Sequence, residues 1–102
     1  MKITKVEYTV RPGFAKQNAE NIAVVINQLK AIGDVNLKYS SYMKDDGKSF
    51  VHFVMINSEG AAKILSGLES FKKFQAELKA SNTEIPPRVE SLSLVHSSFD
   101  LF

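Results

Sequence analysis

Two histidines and three tyrosines are the side chains of this sequence best suited to chemistry at neutral pH. His52 lies within an apolar run, and His96 lies near the C-terminus. Because an imidazole titrates near neutral pH, His52 is a candidate catalytic base or a donor to a ligand, and His96 is a candidate pocket residue. The simpler interpretation makes each of them a hydrogen-bonded histidine of the core or of an interface.

Aromatic rings are the second feature that points to a ligand. Tyr8, Tyr39 and Tyr42 each combine a ring with a hydroxyl, as residues that line pockets for aromatic compounds do. Phe71 and Phe74 follow at helical spacing, and Phe71 is a further candidate pocket residue. Ordinary packing in the core or at its rim explains the same residues without a ligand, so both interpretations stay open.

Composition narrows the classes of function. The chain has 102 residues, a net charge of +2 and no cysteine. This length fits one domain, residues 1–102. The lack of cysteine excludes disulfides, thiolate zinc sites and a cysteine nucleophile, and no phosphate-binding glycine loop or metal-ligand spacing is present. We therefore expect no cofactor and no metal, and the small net charge argues against binding to nucleic acid.

The sequence shows neither a secretion signal nor a membrane span. Charged and apolar residues alternate from Met1 to Glu7, which leaves no continuous apolar region there. The uncharged stretch Asn21–Leu29 is much shorter than a membrane span. We expect a cytoplasmic protein that does not associate with a membrane.

Apolar residues recur at every second position in four segments, which predicts four strands. They recur at every third or fourth position in two others, which predicts two helices. Turn signals separate them: a Pro-Gly pair, an Asp-Gly pair and a Pro-Pro pair. Gly67, inside the second helix, predicts a kink or a break. The predicted elements are a strand ending at Val10, a helix Phe14–Ile32 ending at Gly33, strands Val35–Met43 and Phe50–Ile56, a helix Ala61–Leu78 capped by Asn57 or Ser58, and a strand Arg88–His96 followed by an apolar tail.

The order β-α-β-β-α-β is that of the ferredoxin-like α+β fold, in which a four-stranded antiparallel sheet carries both helices on one face. The strand Phe50–Ile56 is apolar on both faces, and the helices cover only one of them. We expect a second copy of the chain to cover the other face, as a homodimeric α+β barrel. If the first and third strands are neighbours, Glu7 or Lys5 would face His52.

Three stretches of the sequence resemble the dimeric α+β barrel superfamily, and most closely domains similar to antibiotic biosynthesis monooxygenases. The first strand ends in Tyr8-Thr9-Val10-Arg11-Pro12-Gly13. A hairpin then leads into an apolar third strand over Asp46–Phe53. The second helix, within Ser58–Leu78, presents paired aromatic residues in its later part.

This resemblance implies a cofactor-independent monooxygenase that acts on a small aromatic or polyketide-like compound, with Tyr8, Tyr39 and His52 orienting the substrate and accepting a proton. Haem-degrading relatives use a tryptophan and a histidine of the second-helix region, and this chain has neither. Because a fold does not determine an activity, the alternative is a non-catalytic homodimer that binds a small ligand or has a structural role.

An RNA-recognition motif is a second alternative. Phe50-Val51-His52-Phe53 and the helix that follows resemble the third strand and second helix of that motif. Asp46 and Lys48 occupy the positions where basic and aromatic residues are expected, and the first strand lacks its expected aromatic residue. Together with the low net charge, these differences favour a protein that does not bind nucleic acid.

Overall fold

A computed structural model describes residues 1–102 as four strands and three helices. The strands pair antiparallel throughout, and the predicted ferredoxin-like α+β fold is confirmed. One turn of 3-10 helix, Pro12–Phe14, precedes the first helix. The elements are β1 (Lys2–Thr9), α1 (Ala15–Ile32), β2 (Leu37–Met43), β3 (Ser49–Ile56), α2 (Glu59–Gly67), α3 (Glu69–Ala80) and β4 (Ile85–Leu92), with the sheet order β2-β3-β1-β4.

The helix boundaries follow the predicted signals. Gly33 ends α1 with a left-handed backbone, at φ +68°, which favours glycine. Ser58 caps α2, because its hydroxyl accepts a hydrogen bond from the amide of Ala61 at 3.1 Å. The predicted second helix is broken into α2 and α3 just after Gly67, since Leu68 has an extended backbone, φ −69° and ψ 124°. None of the three helices has the length and apolarity that crossing a membrane requires.

Two strands have boundaries that differ from the prediction by two residues or more. β2 begins at Leu37 instead of Val35, because the Asp34 carboxylate accepts from the amide of Asn36 at 2.8 Å and holds these residues in a turn. The last strand is Ile85–Leu92 rather than Arg88–His96. Pro86 and Pro87, which were expected as a turn signal before this strand, lie inside it. An edge strand tolerates them because its outer amides need no partner.

The core lies between the helices and one face of the sheet. On this helix-covered face, Tyr8 pairs with Phe50, and Val6 pairs with His52. Side chains alternate along a strand, so Lys5 and Glu7 point to the opposite face. The expectation that either residue faces His52 is therefore wrong. The buried hydrophobic cluster consists of Tyr8, Val10, Ala15, Ile22, Val25, Phe50, Leu65, Phe74 and Leu78.

The opposite side of the sheet, called the open face here, has no helix on it. Its central side chains are Val51, Phe53 and Met55 of β3, all only partly buried. The C-terminal residues 93–102 return to this side of the molecule. There, Phe99 and Leu101 border a cleft of about 230 Å³ together with Phe53 and Met55. The predicted apolar tail therefore lies beside the sheet.

Candidate functional site

A cavity of about 200 Å³ lies between α3 and the helix-covered face of the sheet. We call it the α3–sheet cavity. Most of its wall is apolar, and its polar groups come from three strands and from α3. The lining residues are Val6, Tyr8, Tyr39, His52, Val54, Phe71, Phe74, Gln75, Leu78, Pro87 and Val89.

The strand register brings two tyrosines to His52. Tyr8 on β1 and Tyr39 on β2 are diagonal neighbours of His52 on the same face of the sheet. The Tyr8 hydroxyl lies 2.7 Å from Nε2 of His52, and the Tyr39 hydroxyl lies 3.0 Å from Nδ1. The Tyr8 ring stacks on the imidazole, and the Tyr39 ring meets it edge-on. Both ring nitrogens are thus engaged, which fixes the orientation of the imidazole.

Asn18 of α1 extends this group by one residue. Its Nδ2 donates to the Tyr8 hydroxyl at 2.8 Å, and its side chain is completely buried. Asn18, Tyr8, His52 and Tyr39 together form what we call the polar network. The Oδ1 atom of Asn18 is buried without a hydrogen-bond partner, which is uncommon in a protein core.

Burial favours the uncharged forms of the three titratable members of the polar network, His52, Tyr8 and Tyr39. It lowers the pKa of His52 to about 4. Burial also raises the pKa of Tyr8 and, with an added contribution from nearby Tyr8, that of Tyr39. At neutral pH the imidazole is therefore neutral, with one donor and one acceptor nitrogen. A base with so low a pKa removes substrate protons inefficiently, so the geometry suits hydrogen bonding better than proton abstraction.

The structure brings five of the candidate residues together and leaves two apart. Tyr8, Tyr39, His52 and Phe71 all line the α3–sheet cavity, as does Phe74. Tyr42 lies on the open face instead, where its ring meets that of Phe53 edge-on. His96 is exposed beyond the end of β4 and borders a separate cleft formed by the C-terminal residues.

Sequence reasoning missed two polar residues of this region, Asn18 and Gln75. Asn18 follows Ala15 by three residues and precedes Ile22 by four, so it occupies the apolar stripe of α1. Gln75 lies between Phe71 and Leu78 at the same spacing on α3. A polar residue at an apolar position of a helix was therefore the available signal. Gln75 is exposed and lies at the mouth of the cavity.

A larger cleft of about 510 Å³ lies between α1 and β2. It shares Tyr39 with the α3–sheet cavity but is not lined by Tyr8 or His52. A ligand site combines apolar walls with a few convergent polar groups and with residues of shifted pKa. The smaller cavity has both, so we regard it as the candidate site. No three side chains of the metal-ligating types lie together anywhere in the molecule.

Comparison with known proteins yields matches in structure only. No protein-family model and no curated protein sequence matches the chain. A provisionally named antibiotic biosynthesis monooxygenase from Bacteroides thetaiotaomicron has a TM-score of 0.81 and 8% identity, covering 97% of this chain and 93% of that one. A second, from Nitrosomonas europaea, has a TM-score of 0.77 and 13% identity, covering 94% and 100%. A third, from Caulobacter crescentus, has a TM-score of 0.73 and 18% identity, covering 93% and 90%.

These matches define the class of fold. The chain has the ferredoxin-like α+β fold of the antibiotic biosynthesis monooxygenase domains, as the sequence resemblance predicted. At identities of 8 to 18%, the likeness is one of fold. What the protein binds or converts must therefore be argued from its own cavity.

Proposed function

We propose that this protein is a monooxygenase-like α+β protein that binds a small aromatic compound in the α3–sheet cavity. The observation that carries the proposal is the arrangement of Tyr8, His52 and Tyr39 on one wall of an otherwise apolar cavity. Apolar walls favour an aromatic ring, and a few convergent polar groups orient its substituents. The ligand is thus expected to be a ring that carries at least one polar atom.

The size of the cavity agrees with such a ligand. An apolar cavity of about 150 Å³ is known to hold benzene, and this one measures about 200 Å³. Val89 and Gln75 line it and are exposed, so a second ring can extend between them towards solvent. Phe71 and Phe74 lie on the helix side of the cavity, with ring centroids 6.1 Å apart, and provide aromatic surface for the ligand.

Titration with oxindole, a bicyclic aromatic carbonyl compound, tests this proposal. We expect amide signals of β1, β3 and α3 around the cavity to shift in 1H-15N NMR spectra. Val89→Trp should weaken binding by filling the mouth of the cavity. Val95→Trp is the matched control, because Val95 is more exposed and lies outside the cavity. Shifts confined to the α1–β2 cleft, or equal binding by both variants, would contradict the proposal.

Oxygenase activity is the second candidate function, favoured by the fold shared with the antibiotic biosynthesis monooxygenases. A CH2 group beside an aromatic carbonyl can lose a proton to give an enolate, which reacts with O2. One oxygen atom then remains as a new C=O group, and the other leaves with both hydrogens as water. The substrate supplies all the electrons, so no cofactor is required. In this reaction Tyr39 would orient the carbonyl, and His52 would hold Tyr39 in place.

Oxindole also tests this second function, because the reaction would convert it to isatin. Oxygen uptake together with formation of isatin, faster than without protein, is the expected result for an oxygenase. Tyr39→Phe should slow the reaction while leaving the fold intact. Binding of oxindole without conversion would favour the non-catalytic alternative, a binding protein with the same cavity.

A homodimer formed through the open face is the third part of the proposal. Val51, Phe53 and Met55 form an apolar row there, and Tyr42 and Leu92 flank it with exposed fractions of 55% and 38%. The row has no helix over it, and a second copy of the sheet would cover it. A cytoplasmic location and the lack of nucleic-acid binding, both expected from the sequence, stay predictions.

A further inference from the structure

The polar network connects a fully buried residue of α1 to the wall of the cavity. Asn18 lies at its inner end and does not line the α3–sheet cavity, whereas Tyr39 lies at its outer end and does. Three hydrogen bonds of 2.8, 2.7 and 3.0 Å join the four residues in the order Asn18, Tyr8, His52, Tyr39. The direction of the hydrogen bond between Asn18 and Tyr8 therefore influences whether the Tyr39 hydroxyl presents its hydrogen or its oxygen to a ligand.

The direction of each bond follows from the number of hydrogens available. Asn18 donates to the Tyr8 oxygen, so the single hydroxyl hydrogen of Tyr8 is free for Nε2 of His52. A neutral imidazole that accepts at Nε2 carries its hydrogen on Nδ1 and donates it to the Tyr39 oxygen. The hydroxyl hydrogen of Tyr39 then has no acceptor within the polar network and is free for a ligand in the cavity.

The opposite direction is less favourable at Asn18. If Asn18 kept donating while His52 donated from Nε2, the Tyr8 hydroxyl hydrogen would have no acceptor within the polar network. A fully bonded network in the opposite direction requires the amide to be turned so that Oδ1 accepts from Tyr8, which would place Nδ2 where Oδ1 is now buried without a partner. An unpaired buried acceptor is tolerated better than an unpaired buried N–H group. The buried Oδ1 atom thus supports the direction in which Asn18 donates.

We propose that Asn18 is a positioning residue that acts through Tyr8 and His52 to present the Tyr39 hydroxyl as a hydrogen-bond donor, so that the cavity selects aromatic compounds with a carbonyl oxygen. The proposal rests on the proposed function, because it names the ligand class of the same cavity. It also assigns the imidazole hydrogen to Nδ1, which can be measured without any ligand.

Two measurements on the wild-type protein test the proposal. With 15N-labelled histidine, NMR should show the hydrogen of the His52 ring on Nδ1. Oxindole should bind more tightly than indole, which has a similar bicycle without the carbonyl. We expect the Kd of indole divided by the Kd of oxindole to be about three- to tenfold larger in the wild type than in Tyr39→Phe. One additional hydrogen bond accounts for a difference of this size. A ring hydrogen on Nε2 would overturn the proposal.

Asn18→Asp reverses the first bond and is the decisive variant. At a pH where the carboxylate is ionised, it can only accept from Tyr8, so the ring hydrogen of His52 should move to Nε2 and the preference for oxindole should disappear. Asn27→Asp is the matched control on the same helix, because Asn27 is exposed and outside the cavity. Asn27→Asp should change neither the position of the His52 ring hydrogen nor the preference for oxindole over indole. If Asn18→Asp does not fold, the wild-type tautomer and the Tyr39→Phe comparison decide the question.

The outcomes separate this proposal from the proposed function. If oxindole and indole bind equally to the wild type, the cavity binds aromatic compounds as proposed, but the selection for a carbonyl is overturned. If neither compound binds while the hydrogen of His52 is on Nδ1 and moves in Asn18→Asp, the positioning role of Asn18 stands and the proposed binding function fails.

Discussion

His52 shows how the surroundings of a residue decide its chemistry. The sequence alone makes it a candidate base, because a free imidazole titrates near neutral pH. In the structure it is 1% exposed, and hydroxyls occupy both of its ring nitrogens. Burial disfavours the charged imidazolium and lowers the pKa to about 4. The residue therefore acts as a neutral hydrogen-bonding centre that holds two tyrosines in place.

This burial predicts that the protein loses stability as the pH falls. The pKa of His52 is about 4 when folded and 6.5 when unfolded, so between these values the unfolded chain binds more protons. The free energy of unfolding should therefore decrease by about 2–3 kcal/mol between pH 7 and about pH 4.5. Urea unfolding at several pH values measures this decrease.

The second histidine provides the control for that experiment. His96→Gln should leave the decrease unchanged, because His96 is exposed outside the core. His52→Gln should remove most of it. Carboxylates with lowered pKa values, such as Asp46 at about 2, decrease the free energy of unfolding mainly at lower pH, where they become protonated. A decrease of the same size in His52→Gln would contradict the assignment to His52.

The Tyr8 hydroxyl is expected to contribute measurably to stability. It bonds to both Asn18 and His52 in a buried site, so Tyr8→Phe leaves two buried polar groups without a partner. The free energy of unfolding should fall by about 1–3 kcal/mol. Tyr42→Phe is the matched control, since Tyr42 is 55% exposed on the open face. Equal values for the two variants in denaturant unfolding would show that the polar network adds nothing.

At the scale of the elements, the helix ends follow local rules that the sequence makes visible. The end of α1 depends on a left-handed glycine, and the start of α2 depends on a serine cap. The end of β4 depends on the strand it pairs with. β4 stops at Leu92, which pairs with Ile3 near the start of β1. A partner strand is a property of the fold, so such boundaries are hard to predict from a local pattern.

Two glycines test the local rule at the helix ends, because only Gly33 has a left-handed backbone. Gly33→Ala should lower the free energy of unfolding by about 1–2 kcal/mol, because an alanine is strained at φ +68°. Gly67→Ala should leave it unchanged or raise it by up to about 1 kcal/mol, since a methyl group there meets no atom within 4 Å. Thermal or urea unfolding of both variants gives the difference. A stabilising Gly33→Ala would contradict the role of the left-handed backbone.

At the scale of the whole molecule, the distribution of apolar surface is uneven. The helix-covered face carries the buried core and the α3–sheet cavity, while the open face shows a partly buried apolar row. Several large apolar residues of β4 and the C-terminal residues are also exposed, among them Val89, Val95 and Phe99 at 67%, 86% and 68%. A chain of this size buries roughly two thirds of the surface that its unfolded form exposes, a smaller share than larger domains bury. A second copy would therefore add considerably to its stability.

Replacement of Phe53 by glutamate tests the proposed dimer. Phe53 lies at the centre of the open face, so a buried, unpaired carboxylate should dissociate the dimer. Sedimentation velocity should show a dimer for the wild type and a monomer for Phe53→Glu at micromolar concentration. Val24→Glu is the control, because Val24 is half exposed on the outer side of α1. A monomeric wild type would overturn the proposed dimer.

The amino-acid sequence by itself determined the order of the elements, their faces and the two-sided apolar character of β3, because these follow from periodicities of two and 3.6 residues within a single segment. It also identified Tyr8, Tyr39, His52 and Phe71 as residues of interest. Only the tertiary structure decided that these four line one cavity, that Glu7 points away from His52 and that Asn18 completes the network. Contacts between distant segments depend on strand register and helix placement, and the pattern of one segment does not contain that information.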